Sequence, residues 1–282
     1  MDGILVSQSI RESLKSEISE LFKNNVYPCL ATILVGNDPA SVSYINNKQK
    51  TANSIGIKTF DYRLDEKISQ QELAKLVIEL NDNENVHGIL IQLPLKDHLD
   101  KFEILNLIRS DKDVDGLTFI NCGLLFNNKP KLIPCTPMGV MELLDYYKID
   151  LDGKVVSIIN RSNLVGKPLS TLLLEKNSTV IICHSRTKNI NNLLQSSDII
   201  ITAIGNRNKF KLTKEMVSEN SIVIDIGTSR INGKLLGDVD FEEVKEKVSY
   251  ITPVPGGVGP MTITMLLKNT VEAAKILNPI NK

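Results

Sequence analysis

Short apolar runs constrain the fold of this chain more than any other feature of its sequence. Strands are predicted at residues 30–35, 57–62, 88–93, 154–160, 179–183, 198–203 and 221–226. These runs show little of the polar–apolar alternation of a half-buried strand, and amphipathic helices are predicted between them. Strands of this kind, interleaved with helices, indicate parallel sheets that are covered on both faces. We therefore expect an α/β fold.

The helices are predicted from apolar spacing and from capping signals. They are expected at residues 8–22, 41–55, 69–80, 102–108, 138–147, 168–175 and 262–277. Gly56 is the expected left-handed residue after the second of them. Thr136 and Thr262 are predicted to cap the helices that follow them, with Pro137 at a first helical position. Residues 119–137 are predicted as a loop.

The length of 282 residues favours two domains. We place the first at residues 1–118 and the second at residues 119–261. The C-terminal helix, residues 262–277, is expected to pack back on the first domain. The formal net charge of zero does not indicate a nucleic acid or an anionic membrane as partner. No apolar run approaches membrane-spanning length, and the N-terminus lacks the layout of a signal peptide.

The cysteines are scattered along the chain. Their positions are Cys29, Cys122, Cys135 and Cys183. This spacing is typical of neither a metal site nor a redox pair. We expect buried, reduced thiols in a cytoplasmic protein, and no metal site.

One predicted helix carries a tyrosine and a lysine four residues apart. Tyr44 and Lys48 share a face of that helix, just after a strand and a turn. A phenol ring beside an amine is suited to holding a flat substrate and moving a proton. A tyrosine that covers a lysine stem on a solvated helix is the alternative, and it is favoured if this pair is considered alone.

Polar residues also stand near the ends of later strands. Gln92 interrupts an apolar strand end, where burial costs a few kcal/mol unless the amide finds a partner. Ligands of parallel sheets bind beyond such ends, so Gln92 is a candidate site residue or a strand-end amide that points at water. Asp115 lies in a turn after the next helix, and Asp113 is interpreted as a turn aspartate that bonds its own backbone.

The second half of the chain contains a strand–turn–helix–strand unit with the length of a nucleotide-binding half, from residue 154 to residue 183. The usual glycine fingerprint is absent, since Gly166 is the only glycine of the turn. An NAD site favours an acid after the second strand, but this chain has Ser185 and Arg186 there and Arg161 in the turn. Cations and hydroxyls suit a ribose phosphate and indicate NADP. The alternative is that both arginines are solvated loop residues.

Glycines follow two further strands of this half. Gly205 and Gly227 let a ligand approach the backbone closely. The loop at residues 251–260 is apolar and rich in proline and glycine, which suits the wall of a site better than a polar linker.

Several motifs occur together in the order of a known family. They are residues 44–48 (YINNK), 88–94 (GILIQLP), 112–116 (KDVDG), 134–137 (PCTP), 161–168 (RSNLVGKP) and 253–262 (PVPGGVGPMT). With these motifs the chain resembles the bifunctional methylenetetrahydrofolate dehydrogenase/methenyltetrahydrofolate cyclohydrolase family over nearly its whole length. The resemblance implies a parallel-sheet domain, a Rossmann-like NADP-binding domain and a folate cleft between them.

The resemblance also implies two reactions and a set of site residues. A hydride leaves the methylene carbon of the reduced folate for NADP, and water then opens the methenyl bridge to give formyltetrahydrofolate. Lys48 is the implied general acid/base, Tyr44 stacks on the folate, Gln92 holds and tunes Lys48, and Asp115 bonds the pterin. Gly257, Val258 and Pro260 line the folate side. The implied cofactor-binding residues are Asn160, Arg161, Ser162, Val165, Gly166, Ser185, Arg186, Ala203, Gly205, Gly227 and Thr228.

The chemistry agrees with this set of residues. Hydride transfer from a carbon flanked by two nitrogens needs orientation more than acid/base help, whereas hydration of the methenyl bridge needs proton movement. A lysine can serve if burial lowers its pKa towards neutrality. Two positions depart from the family pattern, which usually has glycine at Asn160 and often proline at Lys96. Asparagine tolerates left-handed backbone angles, and Lys96 lies in a surface turn.

Two other functions stay open on the sequence alone. One is a dehydrogenase without efficient cyclohydrolase activity, and the other is a non-catalytic module that binds NADP. The resemblance further implies tetrahydrofolate derivatives as substrates and a homodimer that pairs through the second domain.

Overall fold

The computed structural model describes residues 1–279 and contains two compact units. The first unit comprises Ser9–Cys135 together with the chain from Ile263 onward, and the second comprises Met1–Gln8 and Thr136–Thr262. Each unit contains a parallel sheet with helices, as the apolar runs predict. The α/β fold with two parallel-sheet units is therefore confirmed.

The first unit is built on a three-stranded parallel sheet with the order β2-β1-β3. Its strands are β1 (Cys29–Val35), β2 (Lys58–Leu64) and β3 (Gly88–Ile91). Its helices are most of α1 (Gly3–Lys23), α2 (Pro39–Ser54), α3 (Gln70–Asp82), α4 (Lys101–Leu107), α5 (Phe119–Phe126) and most of α10 (Val258–Leu277). Every residue of the central strand β1 is buried, which explains its unbroken apolar sequence.

Local signals in the sequence fix where α2 and α3 begin and end. Asp38 caps α2 by accepting the backbone N–H of Ser41 at 2.8 Å, and Pro39 occupies the first turn. Gly56 follows that helix with φ of +92°, a left-handed angle that glycine adopts without steric cost. Helix α3 begins with a capping box between Ser69 and Glu72.

The second unit contains a five-stranded parallel sheet with the order β10-β7-β6-β4-β5. Its strands are β4 (Val155–Ile159), β5 (Thr179–Cys183), β6 (Ile199–Thr202), β7 (Ile222–Asp225) and β10 (Tyr250–Ile251). An antiparallel hairpin of β8 (Ser229–Ile231) and β9 (Lys234–Leu236) follows β7. The helices are α6 (Cys135–Tyr146), α7 (Gly166–Leu174), α8 (Ile190–Gln195) and α9 (Phe241–Val244), with a 3₁₀ turn at Lys214–Met216.

Strand β4 is the switch point of this second sheet. The chain passes from β4 to β5 on one side and then crosses to β6 on the other. In open parallel sheets, ligands bind where the connections diverge in this way, beyond the carboxyl ends of the strands. The ends of β4 and β6, at Asn160 and Ala203, are therefore the expected ligand edge.

Three sequence predictions about helices are wrong. The predicted loop at residues 119–137 contains α5, which begins because the hydroxyl of Thr118 accepts the backbone N–H of Asn121 at 3.3 Å. Thr136 is not a cap, since α6 already begins at Cys135, and its hydroxyl instead lies 3.0 Å from that of Thr262. Thr262 lies inside α10, which begins four residues earlier than predicted.

The division into units also differs from the boundary predicted after residue 118. Residues 119–135 belong to the first unit because polar side chains bind them there. Asn121 donates to the carbonyl of Ser110 at 2.8 Å and to the carboxylate of Asp113 at 2.9 Å. Asn269 donates to the carbonyl of Ile133 at 2.8 Å. Long-range hydrogen bonds of this kind have no local sequence signature.

Within residues 1–279, all cysteines are free thiols, and Cys29, Cys135 and Cys183 are buried as predicted. No helix in this part of the chain has the length and apolarity needed to cross a membrane. A search of the same residues finds no cluster of His, Cys, Asp and Glu side chains that could hold a metal ion.

Candidate active site and cofactor-binding turn

Lys48 is the centre of a buried polar cluster in the first unit. Its ammonium donates to the side-chain oxygen of Gln92 at 3.1 Å and lies 4.3 Å from the centre of the Tyr44 ring. Lys48 is only 6% exposed, whereas lysines are rarely buried without a partner. We call the group of Tyr44, Lys48, Gln92 and Asp115 the Lys48 site. The prediction that Tyr44 and Lys48 share a face of α2 is confirmed.

Gln92 holds Lys48 in a defined direction. It directly follows β3, and its backbone N–H donates to the carbonyl of Ile33 at 2.9 Å. Its side-chain N–H₂ donates to the carbonyl of Leu93 at 2.8 Å, so its side-chain oxygen is turned towards the amine. The amide therefore has partners for both of its polar atoms, as burial requires.

Burial shifts the pKa values of the titratable side chains in this site. Desolvation lowers the pKa of Lys48, and the nearby Asp115 carboxylate opposes that shift without cancelling it. Desolvation also raises the pKa of Asp115, which Lys48 partly offsets, and raises the pKa of Tyr44. The neutral amine is therefore accessible at a lower pH than in an exposed lysine.

Asp115 is presented by a loop that is anchored by buried charges. The Lys112 ammonium donates to the carbonyls of Leu80, Asn81 and Asn83, at 3.2, 2.7 and 2.8 Å, and so binds the end of α3. The Asp113 carboxylate accepts the backbone N–H groups of Leu117 and Thr118 and the side-chain N–H₂ of Asn121, at 3.1, 2.8 and 2.9 Å. Lys112 and Asp113 are 2% and 1% exposed. Such an anchored loop can hold Asp115 in one position.

Cys135 and Asn269 also belong to this region, and the sequence analysis assigned no role to either. The Cys135 thiol donates to the carbonyl of Val114 at 3.3 Å, and burial raises its pKa with the help of Asp115. Asn269 donates to the same carbonyl at 2.8 Å. An asparagine among the apolar residues of the last helix is a signal that could have indicated a buried polar contact.

The predicted folate-wall residues Gly257, Val258 and Pro260 lie in the second unit. Val258 is buried and begins α10, and Pro260 lies in the first turn of that helix. The preceding loop is anchored to the N-terminus, because the backbone N–H of Gly3 donates to the carbonyl of Gly256 at 2.9 Å. The loop is thus an ordered part of the second unit.

The turn after β4, residues 160–168, is organised by a single side chain, and we call it the Asn160 turn. The Asn160 oxygen accepts the backbone N–H groups of Ser162 at 2.7 Å and Gly166 at 3.1 Å. Its N–H₂ donates to the carbonyl of Ala203 at 2.5 Å, and the Ser162 hydroxyl accepts the N–H of Val165 at 3.1 Å. Asn160 is absent from the residues with positive φ within 1–279, so the left-handed backbone considered for it is not adopted.

The predicted phosphate ligands stand at the ends of β4 and β5. Arg161, Ser185 and Arg186 are all exposed, and no acidic side chain follows β5. His184 shapes the second of these ends, because its ring nitrogen accepts the backbone N–H of Arg186 at 3.1 Å. These two neighbouring strand ends present cations and a hydroxyl without a competing carboxylate, which suits the ribose phosphate of NADP.

The glycine after β7 lies against a buried carboxylate. A Cβ on Gly227 would lie 2.0 Å from the Asp238 carboxylate, which also accepts the N–H groups of Ile204 and Gly205 at 2.6 and 3.0 Å. The Asp225 carboxylate accepts the N–H groups of Gly227 and Asp238, at 3.1 and 3.0 Å, and burial raises its pKa to about 6. Asp238 thus fills the space that a side chain at position 227 would need, so only glycine fits there. Close approach of a ligand to this backbone stays a prediction. Exposed Thr228 follows it.

Comparison with known proteins gives matches over both units. Residues 1–115 match the catalytic-domain model of the tetrahydrofolate dehydrogenase/cyclohydrolase family, and residues 134–278 match the NAD(P)-binding-domain model of that family. The bifunctional protein FolD of Nitrosopumilus maritimus is 53% identical over 282 residues, which cover 100% of this chain and 98% of that relative.

Solved structures agree with the family match. The bifunctional enzyme FolD, a methylenetetrahydrofolate dehydrogenase/cyclohydrolase from Campylobacter jejuni, is 50% identical with a TM-score of 0.95, and 98% of each chain is covered. The Trypanosoma brucei methylenetetrahydrofolate dehydrogenase-cyclohydrolase, complexed with NADP cofactor and inhibitor, is 36% identical with a TM-score of 0.94. That match covers 99% of this chain and 98% of the other.

Proposed function

Because this chain belongs to the tetrahydrofolate dehydrogenase/cyclohydrolase family, we propose that it carries out both reactions of that family. It oxidises 5,10-methylenetetrahydrofolate to 5,10-methenyltetrahydrofolate with NADP, and it hydrolyses the product to 10-formyltetrahydrofolate in one-carbon metabolism. The observation that carries this proposal is the buried Lys48 amine, which is held by Gln92 beside the Tyr44 ring.

Lys48 performs the proton transfers of the hydrolytic step. Its neutral amine accepts a proton as water adds to the methenyl carbon, and its ammonium returns that proton to the leaving nitrogen as the carbon–nitrogen bond opens. The proton of the new hydroxyl leaves to solvent as the formyl carbonyl forms. Burial lowers the pKa of Lys48, so its neutral form is reached at a lower pH than in an exposed lysine. Gln92 keeps the amine directed, Tyr44 stacks on the folate, and Asp115 bonds the pterin. Gly257, Val258 and Pro260 contribute the wall of the folate site.

The oxidative step depends on orientation. When bound, NADP supplies the nicotinamide that takes the hydride from the methylene carbon. The chain fits this cofactor, since Arg161, Ser185 and Arg186 are exposed at adjacent strand ends and no acid follows β5. Arg161, Ser162, Ser185 and Arg186 would hold the phosphate groups. The remaining cofactor contacts would come from the Asn160 turn, at Asn160, Val165 and Gly166, and from the ends of β6 and β7, at Ala203, Gly205, Gly227 and Thr228.

The chain acts as a homodimer in the cytoplasm, paired through the second unit. The support for pairing is that β5 is the last strand of its sheet and that Ile182 on it and Leu174 on α7 are 38% and 59% exposed. Sedimentation equilibrium over a range of protein concentrations tests the pairing, and a monomer at all of them contradicts it.

The decisive experiment follows both products together. Purified protein is mixed with methylenetetrahydrofolate and either NADP or NAD, and reduced nicotinamide and methenyltetrahydrofolate are recorded against an enzyme-free hydrolysis blank. Reduced NADP without accumulation of the methenyl compound is the expected result. Accumulation of the methenyl compound at the blank's hydrolysis rate identifies a dehydrogenase alone. NADP binding without any turnover identifies a non-catalytic module.

A further inference from the structure

The carboxamide of Asn160 makes several hydrogen bonds to the backbone around it. It accepts two backbone N–H groups of the turn, from Ser162 and Gly166, and it donates to the carbonyl of Ala203 at the end of β6. One half-buried side chain thus closes the turn after β4 with two hydrogen bonds and ties it to the end of the neighbouring strand β6 with a third.

These bonds leave the backbone of Arg161 little freedom. Arg161 lies between Asn160 and Ser162 in a turn that the Asn160 oxygen closes onto the Ser162 N–H. The Ser162 hydroxyl and carbonyl then accept the N–H groups of Val165 and Lys167, at 3.1 Å each. The backbone that carries the Arg161 side chain is therefore ordered without help from a ligand.

The same bonds alter how an anion can approach helix α7. Its first N–H group, that of Gly166, is already paired with the Asn160 oxygen. In nucleotide-binding halves this N–H is one that a diphosphate uses. In this chain the Asn160 carboxamide already pairs with that N–H. We therefore expect the turn to contribute to NADP binding through the side chains that it positions.

We propose that Asn160 is a positioning residue for NADP, which fixes the turn that presents Arg161 and so raises both the affinity for NADP and its preference over NAD. This inference rests on the proposed function, because it assumes that NADP binds at the Asn160 turn. Ordering a binding loop before the ligand arrives strengthens binding, because less conformational entropy is lost when the complex forms.

The test compares Asn160→Ala with Asn163→Ala by titration calorimetry with NADP and with NAD. Asn163 is exposed in the same turn, so its replacement controls for the loss of an asparagine there. Cyclohydrolase activity on methenyltetrahydrofolate is measured in every variant, since that step needs no nicotinamide. It reports folding of the first unit, and circular dichroism reports the fold of the whole chain.

We expect Asn160→Ala to raise the Kd for NADP about tenfold and to raise the Kd for NAD less. Asn163→Ala leaves both Kd values unchanged. An unchanged or lower Kd for NADP in folded Asn160→Ala overturns the inference, because the carboxamide then only fills the anion position. Asn160→Gly is measured in parallel and decides the question if the alanine variant does not fold.

The proposed function and this inference fail in different ways. Absence of cyclohydrolase activity and of NADP-dependent oxidation in the wild-type protein contradicts the function. A normal wild-type enzyme whose NADP affinity does not depend on Asn160 contradicts only the inference.

Discussion

The Lys48 site and the Asn160 turn differ in where their charged groups lie. The first is a set of buried, titratable side chains whose pKa values burial shifts, held by a loop that itself contains the buried charges of Lys112 and Asp113. The second is an ordered stretch of backbone, closed by a neutral carboxamide, that presents exposed cations. Titratable groups are buried at the proposed proton-transfer site, and charges are left in solvent at the proposed anion site.

This difference follows from whether a group must change its charge or keep it. A buried amine loses its proton at a lower pH than an exposed one, because solvent is excluded from it. An arginine that binds phosphate must keep its charge and gains nothing from burial of that kind. Substitutions in one region should therefore leave the chemistry of the other intact, which four experiments can test.

The largest effect is expected for Lys48→Met, which removes the proton-transfer group and keeps a similar apolar volume. Cyclohydrolase activity should fall about 10³-fold, while the Kd for NADP stays the same. The loss of the absorbance of methenyltetrahydrofolate measures the rate. Lys50→Met on the same helix is the matched control, because Lys50 is exposed. An unchanged rate of hydrolysis in Lys48→Met would contradict the proposed role of Lys48 in proton transfer.

A large loss of stability is expected for Asp113→Ala. Removal of the carboxylate leaves the buried N–H groups of Leu117 and Thr118 without their acceptor and should lower the free energy of unfolding by about 3 kcal/mol. Asp115→Ala should lower activity with a much smaller change in stability. Urea unfolding, followed by circular dichroism, measures both variants. Equal losses of stability would show that Asp115 is also structural.

A selective loss of cofactor is expected for Arg161→Gln. Removal of one exposed cation from the predicted phosphate contacts should raise the Kd for NADP about 30-fold and change the Kd for NAD little. The cyclohydrolase rate should not change, which is the converse of the Lys48→Met result. Titration calorimetry with both nucleotides measures the change. Equal losses for NADP and NAD would mean that Arg161 does not contact the ribose phosphate.

The smallest effect is a shift of the pH profile in Gln92→Glu. Burial lowers the pKa of Lys48 in the wild-type protein, so the neutral amine appears, and hydrolysis rises, at a lower pH than for an exposed lysine. A carboxylate in place of the amide oxygen, 3.1 Å from the ammonium, favours the charged lysine and raises that pKa. The midpoint of the cyclohydrolase rate should move up by about one pH unit. A downward shift would contradict the role of Lys48 as base.

The geometry of the Lys48 site was predictable where helical period and strand order alone determine it. Tyr44 and Lys48 must share a face of α2, and Gln92 must stand at the end of a parallel strand. The hydrogen bond that joins Lys48 to Gln92 was implied only by the family resemblance, since the two residues are far apart in sequence. Asn269 escaped prediction for the same reason, because its partners Val114 and Ile133 are distant in sequence.

The cofactor side was less predictable because the sequence does not show which residues pack against a glycine. Gly227 was predicted to allow close approach of a ligand, but nothing local in the sequence indicates that the Asp238 carboxylate leaves no room for a side chain there. Asn160 was considered for its tolerance of left-handed angles, whereas its side-chain bonds are what shape the turn. Helix α5 was missed although Thr118 offered a capping signal, because much of its apolar sequence is exposed, with Phe119 67% and Phe126 77% exposed.

Because Lys112 is buried, its chemical modification reports local opening of the first unit. Its amine is engaged by three carbonyls and is 2% exposed, so acylating reagents that modify surface lysines cannot reach it while the first unit is intact. The rate of acylation of Lys112, located by peptide mass spectrometry, therefore measures how often α3 separates from the loop that carries Asp115. Lys50, exposed on α2, reacts in every state and supplies the reference for reagent dose.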